Sequence, residues 1–174
     1  PVTDIVSIPV PENTGNVYAS DQHDNRLKSQ WMPDGQLAVM VKDVPAFSAS
    51  RVILKKEKHL VHPLPPKDFF RNVKINEISG AIDSLYWTYS GDNFVDQVAG
   101  YGINEYIYVE GRDPGNRHYA GNPVISYHER GELINTMIIR SDAPGTNGLV
   151  RKISLMPLLD RIDITNTIDK SEVY

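Results

Sequence analysis

The residues that decide the fold class are Val124-Ile-Ser-Tyr-His-Glu-Arg-Gly-Glu-Leu-Ile-Asn-Thr-Met-Ile-Ile-Arg140. This stretch contains two candidate strands, Val124–Glu129 and Leu133–Arg140, joined by the turn-forming residues Glu129-Arg130-Gly131. Short runs of Val, Ile, Leu, Thr and Tyr between turn residues are typical of β-strands, whereas an amphipathic helix repeats its apolar residues every three or four positions. The stretch therefore predicts an antiparallel hairpin.

The same pattern recurs along the chain. At Met32-Pro-Asp-Gly-Gln36, proline presets φ and glycine can take a positive φ, which predicts a hairpin turn. No segment sustains helical periodicity, so the sequence predicts an all-β fold, a two-sheet antiparallel β-sandwich. The remaining candidate strands are Asp4–Val10, Leu27–Trp31, Leu37–Lys42, Ser48–Leu54, Phe69–Ile75, Ile82–Trp87, Ile103–Val109, Leu149–Leu155 and Arg161–Ile168.

A proline-rich segment, His62-Pro-Leu-Pro-Pro66, divides the chain, because proline cannot donate a ladder hydrogen bond. We predict an N-terminal strand block at residues 1–60, a linker at 61–68 and the main sandwich at 69–174. Both ends of the sequence resemble strands, which is typical of a segment taken from a longer protein. A sandwich truncated in this way would expose sheet edges, and homodimers could form through them.

Composition and charge disfavour several classes of partner. The 174 residues carry a formal net charge of −4 and no basic run longer than Lys55-Lys56, which argues against nucleic acid. No apolar run approaches the roughly 20 residues of a membrane-spanning helix. Cysteine is absent, which excludes disulfides, but a disulfide-free fold suits any compartment and the localisation stays undetermined.

The histidines are the first candidates for a metal ligand or a catalytic base. His59 and His62 lie three residues apart with no third ligand nearby in sequence, so a solvated pair is favoured over a metal site. His118 and His128 could act with a carboxylate as the acid and base of a sugar-epimerising sandwich, although surface positions are favoured for both. The carboxylates considered are Glu110, Glu129 and Glu132.

The segment Ile103–Glu110 indicates a binding surface. Strand alternation places Ile103, Ile107 and Val109 on one face, predicted to be core, and polar or aromatic residues on the other. Tyrosine beside amide or carboxylate groups can bind a sugar through its ring C–H edges and hydroxyl groups, although tyrosines are also common on half-exposed strands. The candidate substrate-binding residues are Asn104, Tyr106 and Tyr108.

Asn166 stands out in the last candidate strand because it shares a face with Ile162, Ile164 and Ile168. An amide on an apolar face must form hydrogen bonds or cost about 1–3 kcal/mol. Asn166 therefore either ties down a neighbouring loop or faces a ligand, and we favour the structural tie.

Several segments resemble the C-terminal β-sandwich region of family 38 glycoside hydrolases, the α-mannosidases. The most specific is Ser141-Asp-Ala-Pro-Gly-Thr-Asn-Gly-Leu-Val-Arg-Lys-Ile-Ser-Leu155, continued by Leu159-Asp-Arg-Ile-Asp-Ile-Thr-Asn-Thr-Ile-Asp-Lys170. Residues 69–86 and Tyr101–Tyr108 match in the expected order, and Thr3-Asp-Ile-Val6 is similar to the strand that follows the family's helical middle region. The resemblance covers most of the chain.

This resemblance implies a truncated piece of a sandwich, similar in fold to the galactose mutarotase-like supersandwich, behind a mannosidase catalytic domain. The family's zinc ion, nucleophile and acid/base belong to the N-terminal domain, so the resemblance implies no catalytic residue, metal ligand or cofactor here. It also implies that Tyr106 matches a tyrosine that contacts bound mannose. We expect a non-catalytic accessory segment whose partners are the catalytic domain of the same protein, with its zinc, and mannose-containing carbohydrate.

Three alternatives remain open. A free-standing carbohydrate-binding module would use Tyr106 and Tyr108 as an exposed platform. A mutarotase-like epimerase would need His118 or His128 at hydrogen-bond distance from a carboxylate across a concave sheet. A purely structural interaction domain would expose a large apolar patch to a partner.

Overall fold

The structure is a computed structural model that describes residues 1–57, 70, 72–86, 90–96, 98–111 and 113–171. These residues form β-strands and turns, with one short 3-10 turn at Pro157–Leu159 and no α-helix among them. The all-β prediction is confirmed, and the antiparallel sheets are consistent with a β-sandwich-like fold. The predicted linker at 61–68 lies outside the described residues, as do His59 and His62.

Thirteen strands are described. They are β1 (Val2–Pro9), β2 (Val17–Ser20), β3 (Ser29–Trp31), β4 (Gln36–Val44), β5 (Ile53–Lys56), β6 (Val73–Ile75), β7 (Ile82–Leu85), β8 (Ile107–Val109), β9 (Arg117–Tyr119), β10 (Gly121–Glu129), β11 (Asn135–Asp142), β12 (Thr146–Met156) and β13 (Arg161–Lys170). The sequence patterns missed β2 and β9, which are only four and three residues long. Such short strands show too few alternations for a period of two to be recognised.

The strands form several sheets rather than two continuous ones. The described sheets have the orders β1-β4-β3, β10-β11-β12-β13, β2-β5, β6-β7 and β8-β9. The predicted hairpin of β10 and β11 is present. The predicted turn between β3 and β4 is also confirmed, since Met32 and Gln36 are hydrogen-bonded through their backbones and Gly35 has φ 80°.

The chain divides into two compact units. Unit 1 contains Pro1–Lys67, His128–Asn135 and Leu155–Ile162. Unit 2 contains Asp68–Tyr127, Thr136–Ser154 and Asp163–Tyr174. Each unit is described by itself below.

In unit 1, β4 is the central strand and is buried on both faces. It pairs antiparallel with β1 on one side and β3 on the other. Alternate side chains of a strand point to opposite faces, so its odd-numbered and even-numbered residues enter different apolar clusters. The first cluster is Val17, Ala19, Leu37, Val39 and Val41, and the second is Ala38, Met40, Leu133 and Ile134.

A glutamine on β3 completes the hydrogen bonding of a buried turn in unit 1. The Gln30 side-chain oxygen accepts from the backbone N–H groups of Leu133 and Ile134, both at 2.9 Å, and its nitrogen donates to the Ile134 carbonyl at 2.8 Å. Asn135, which is fully buried, bonds both the N–H and the C=O of Gly131. Buried backbone groups need such partners because water cannot reach them.

Unit 2 contains most of the four-stranded sheet together with the β6-β7 and β8-β9 hairpins. Ile139 and Ile153 are completely buried, and the hydroxyl groups of Thr136 and Ser154 are 2.9 Å apart in the same interior. Ile82 and Ile103 exchange two backbone hydrogen bonds of 2.9 and 3.0 Å. This bridge brings the segment around Ile103 beside β7, where the candidate site lies.

Candidate functional site

A cleft of about 500 Å³ lies in unit 2 beside the β6-β7 hairpin. Its walls combine tyrosine rings with amide, hydroxyl, carboxylate and ammonium groups. A cleft of this volume is large enough to hold a small molecule. The lining residues are Lys74, Asn76, Asp83, Ser84, Tyr86, Asn93, Val95, Asp96, Gly100, Tyr101, Gly102 and Glu105.

The turn that closes the β6-β7 hairpin holds one wall in place. The Asn76 side-chain oxygen accepts from the N–H groups of Ile78 and Ser79, both at 2.8 Å. Its side-chain nitrogen donates to Asp83 Oδ1 at 3.0 Å. Asparagine favours turns for this reason, since its side chain bonds the backbone two or three residues further on. Asn76 and Asp83 therefore form one rigid polar element at the cleft.

A second asparagine fixes the opposite side. Asn93 Oδ1 accepts from the N–H groups of Leu85 and Val95, at 3.0 and 3.1 Å. Val95 is buried, so the loop is anchored by an apolar side chain as well as by hydrogen bonds. Asp96 follows directly, is exposed, and accepts from the Val98 N–H at 2.8 Å. The loop presents Asp96 at the rim with a fixed backbone.

Exposed tyrosine rings border the cleft. Tyr86 and Tyr101, both lining residues, are 45% and 39% exposed. The rings of Tyr101 and Tyr119 are stacked, with centroids 6.5 Å apart and planes at 24°. Arg117 Nη1 donates to the Tyr101 hydroxyl at 2.9 Å, and the hydrogen bond with Tyr101 is the main cause that raises the pKa of Tyr119. The Tyr119 phenol is therefore neutral at physiological pH.

Glu105 joins the cleft to a buried cation. Its Oε2 accepts from the Gly102 N–H at 3.4 Å, while its Oε1 is buried without a hydrogen-bond partner among the described residues. Arg151 is 1% exposed and donates from Nη1 to the Ser79 carbonyl at 2.7 Å; its Nη2 has no described partner. Burial lowers the pKa of Arg151, and the charge of Glu105 opposes that shift. The negative charge of Glu105 thus favours the charged form of Arg151.

None of the three sequence-predicted binding residues lines this cleft. Asn104 has a left-handed backbone with φ 62°, and its amide pairs reciprocally with that of Asn166 at 3.0 and 2.7 Å. This pair confirms the structural tie expected of Asn166. The Tyr106 hydroxyl donates to the Pro144 carbonyl at 2.7 Å, and Tyr108 lies against His118 with ring centroids 6.3 Å apart.

The predicted faces of the segment 103–110 are wrong. Ile107 and Val109 are 38% and 40% exposed, whereas Tyr106 and Tyr108 are partly buried. The left-handed residue at 104 interrupts the strand, which is limited to Ile107–Val109. Alternation counted across such a break does not predict which face is buried.

His118 and His128 do not face carboxylates at the cleft. His118 Nε2 is 3.4 Å from Glu110 Oε2 across the β8-β9 hairpin, with both side chains exposed. His128 Nδ1 is 3.1 Å from Glu129 Oε1, its neighbour in sequence. Both pairs are local contacts within a hairpin or a dipeptide rather than an acid and a base facing each other across a concave sheet. The epimerase alternative gains no support from them.

Two further findings bear on chemistry. No group of three or more His, Cys, Asp or Glu side chains that could hold a metal ion is present in the part of the chain that the structure describes. Within that same part, no helix is long and apolar enough to cross a membrane.

Sequence reasoning missed Tyr86, Tyr101 and Asp96. Tyr86 and Tyr101 lie in segments recognised for other reasons, but fifteen positions separate them and no local pattern marks them as neighbours. The signal available was weak: Tyr101 lies between two glycines, Gly100 and Gly102, and binding residues often occur in such loops.

The sequence matches no protein-family model, and neither curated proteins nor solved structures give a significant match. A functional conclusion must therefore be drawn from the cleft itself.

Proposed function

We propose that this chain is a non-catalytic accessory β-sandwich segment of an α-mannosidase-like glycoside hydrolase and that it binds mannose-containing carbohydrate in the cleft of unit 2. The binding proposal is carried by one observation: the exposed Tyr86 and Tyr101 line the same cleft as several amide and carboxylate side chains. A sugar presents both C–H edges and hydroxyl groups, and this lining has a partner for each.

The polar groups are suited to hydroxyl groups rather than to an apolar ligand. The side-chain oxygens of Asn76 and Asn93 accept hydrogen bonds from backbone N–H groups. Their side-chain NH2 groups are donors, and one N–H of Asn76 donates to Asp83. The carboxylates of Asp83, Asp96 and Glu105 accept hydrogen bonds. Vicinal hydroxyl groups can donate and accept at once, which a cleft with both types of partner satisfies.

The affinity should be modest because the cleft is open and its ligand stays partly hydrated. We expect dissociation constants of about 1 mM, equivalent to about −4 kcal/mol, for a single hexose. A linked chain of sugars would gain affinity by contacting Tyr86 and Tyr101 together.

The mannosidase part of the proposal rests on the resemblance of the segments around Ser141–Leu155 and Tyr101–Tyr108. The implied partner is the catalytic domain of the same protein, which would hold the zinc ion and perform hydrolysis. On β10, Val124 and Ile125 are 66% and 39% exposed. Exposed apolar residues of this kind are suited to a protein contact, and they also favour the second candidate, a purely structural interaction domain.

The test is a titration of the chain with methyl α-mannoside and short α-mannosides, in which binding is measured by calorimetry or by changes in amide NMR chemical shifts. We expect saturable binding that Tyr101→Ala weakens at least about tenfold, as loss of a ring platform would. Tyr127→Ala, which removes an exposed tyrosine outside the cleft, is the matched control and should bind normally.

Two outcomes would contradict the proposal. Absence of binding at about 10 mM sugar, well above the affinity expected for an open site, would leave only the structural interaction domain. Turnover of p-nitrophenyl α-mannoside by the isolated chain would overturn the non-catalytic assignment.

A further inference from the structure

Acidic side chains outnumber basic ones among the described residues that line the cleft. Asp83, Asp96 and Glu105 contribute three carboxylates, whereas Lys74 contributes the single ammonium group. A cleft lined mainly by one sign of charge concentrates its field inside, because protein walls screen poorly. The described lining residues therefore carry more negative than positive charge.

Hydrogen bonds also restrain the three carboxylates, which limits their rotation away from an anionic ligand. Asp83 is bound by Asn76 Nδ2 and Asp96 by the Val98 N–H. Glu105 accepts a hydrogen bond from the Gly102 N–H at 3.4 Å.

On this basis, and resting on the carbohydrate-binding function proposed above, we infer that the cleft selects sugars by charge: it takes uncharged hexopyranosides and rejects hexuronates. Glu105 and Asp96 are the specificity-determining residues. A carboxylate at C6 of the sugar would add a negative charge and two acceptors to a cleft already rich in both.

The experiment compares methyl α-mannoside with the corresponding methyl α-mannuronoside, which differs only in the oxidation of C6. We expect the mannuronoside to bind at least about tenfold more weakly, the usual consequence of one unfavourable charge contact near a surface. The difference should shrink when salt rises from about 0.02 M to about 0.5 M, because salt screens partly exposed charges.

Single substitutions test which carboxylates cause the preference for uncharged sugars. Asp96→Asn keeps an oxygen for the Val98 N–H but removes the charge, and Glu105→Gln keeps an acceptor for the Gly102 N–H. Each should reduce the preference for the uncharged sugar several-fold, with the mannuronoside binding more tightly than to the unaltered protein. Asp92→Asn removes one charge from the same loop outside the cleft lining and should change nothing. Because Asp96 is exposed, Asp96→Asn tests the inference even where Glu105→Gln disturbs folding.

The outcomes separate this inference from the function on which it rests. Equal affinity for the two sugars, or a change in preference caused by Asp92→Asn as large as that caused by Asp96→Asn, would overturn charge selection by the cleft while leaving carbohydrate binding in place. Binding of neither sugar would overturn both.

Discussion

Gly80 lies directly against the buried guanidinium of Arg151, at the turn that forms one wall of the cleft. Its φ is 73°, a conformation that side chains rarely adopt, and an added Cβ would overlap Arg151 Nη1 and lie 3.0 and 3.1 Å from Ile139 and Pro123. The single hydrogen bond from Arg151 to the neighbouring Ser79 carbonyl depends on this close approach. Gly80 thus leaves room for the Arg151 side chain to donate a hydrogen bond to the turn.

We expect Gly80→Ala to lower the free energy of unfolding by about 2–4 kcal/mol, from backbone strain plus overpacking. Gly91 is a matched control because its φ is also 73° but nothing lies within 4 Å of an added Cβ. Gly91→Ala should cost only the strain, about 1 kcal/mol. Urea unfolding of both variants measures the difference, and equal losses would show that Arg151 does not restrict position 80.

Asp21 is the residue whose titration is most clearly affected by local hydrogen bonds. Its carboxylate accepts from the Asn25 side chain and from the N–H groups of Asn25 and His23, and these bonds lower its pKa below 3.8, with the Asn25 side chain contributing most. A lowered folded-state pKa means that the stabilisation is present above pH 3.8 and is lost as pH falls through the folded value.

We therefore predict that NMR titration will give Asp21 a pKa below 3.8 and that Asn25→Ala will move it back toward 3.8. A pKa that Asn25→Ala leaves unchanged would contradict the hydrogen-bond cause.

At the level of elements, the residues between the Ile103 bridge and β8 are held by side-chain contacts. Asn104 pairs with Asn166 of β13, and the Tyr106 hydroxyl reaches Pro144 in the turn between β11 and β12. The Tyr106 ring also packs against the small apolar cluster of Ala120, Ala143 and Leu149. Tyr106 therefore has a structural role in the chain as described.

Tyr106→Phe should lower the free energy of unfolding by about 0.5–1.5 kcal/mol through loss of one hydrogen bond, while sugar affinity stays unchanged. Tyr108→Phe is the control, since no hydrogen bond joins the Tyr108 hydroxyl to a described residue. Weakened mannoside binding by a normally folded Tyr106→Phe protein would instead restore Tyr106 as the sugar contact implied by the family resemblance.

The hairpins show how far local patterns extend. The β3-β4 and β10-β11 hairpins follow from turn residues and apolar alternation within about fifteen positions, and both were predicted. The strand containing Tyr106 and Tyr108 was misjudged because a single left-handed residue, Asn104, changes the direction of the backbone. Asparagine permits that conformation without requiring it, so sequence alone does not reveal it.

At the scale of the whole molecule, the four-stranded sheet ends in β13 among the described strands. Ile164 and Ile168 of this edge strand are 36% and 50% exposed. An edge strand presents unpaired backbone groups, and apolar side chains beside them favour pairing with another strand. The homodimer expected from the sequence would use this edge.

We predict weak, concentration-dependent dimers in sedimentation experiments, with the double variant Ile164→Lys/Ile168→Lys remaining monomeric. Ile78→Lys changes a turn residue that is 80% exposed and should leave the dimer intact. A dimer that persists in the double variant would exclude β13 as the contact.

The sequence by itself determined the all-β class of the fold and the β3-β4 and β10-β11 hairpins, because these depend on turn chemistry and on a period of two within a few residues. Only the tertiary structure decided the candidate site. Asn76, Asp83, Asp96 and Glu105 converge because the β6-β7 turn, the Asn93 loop and the Ile82–Ile103 bridge bring them together. Such convergence depends on contacts between segments that are distant in sequence, such as the bridge between Ile82 and Ile103.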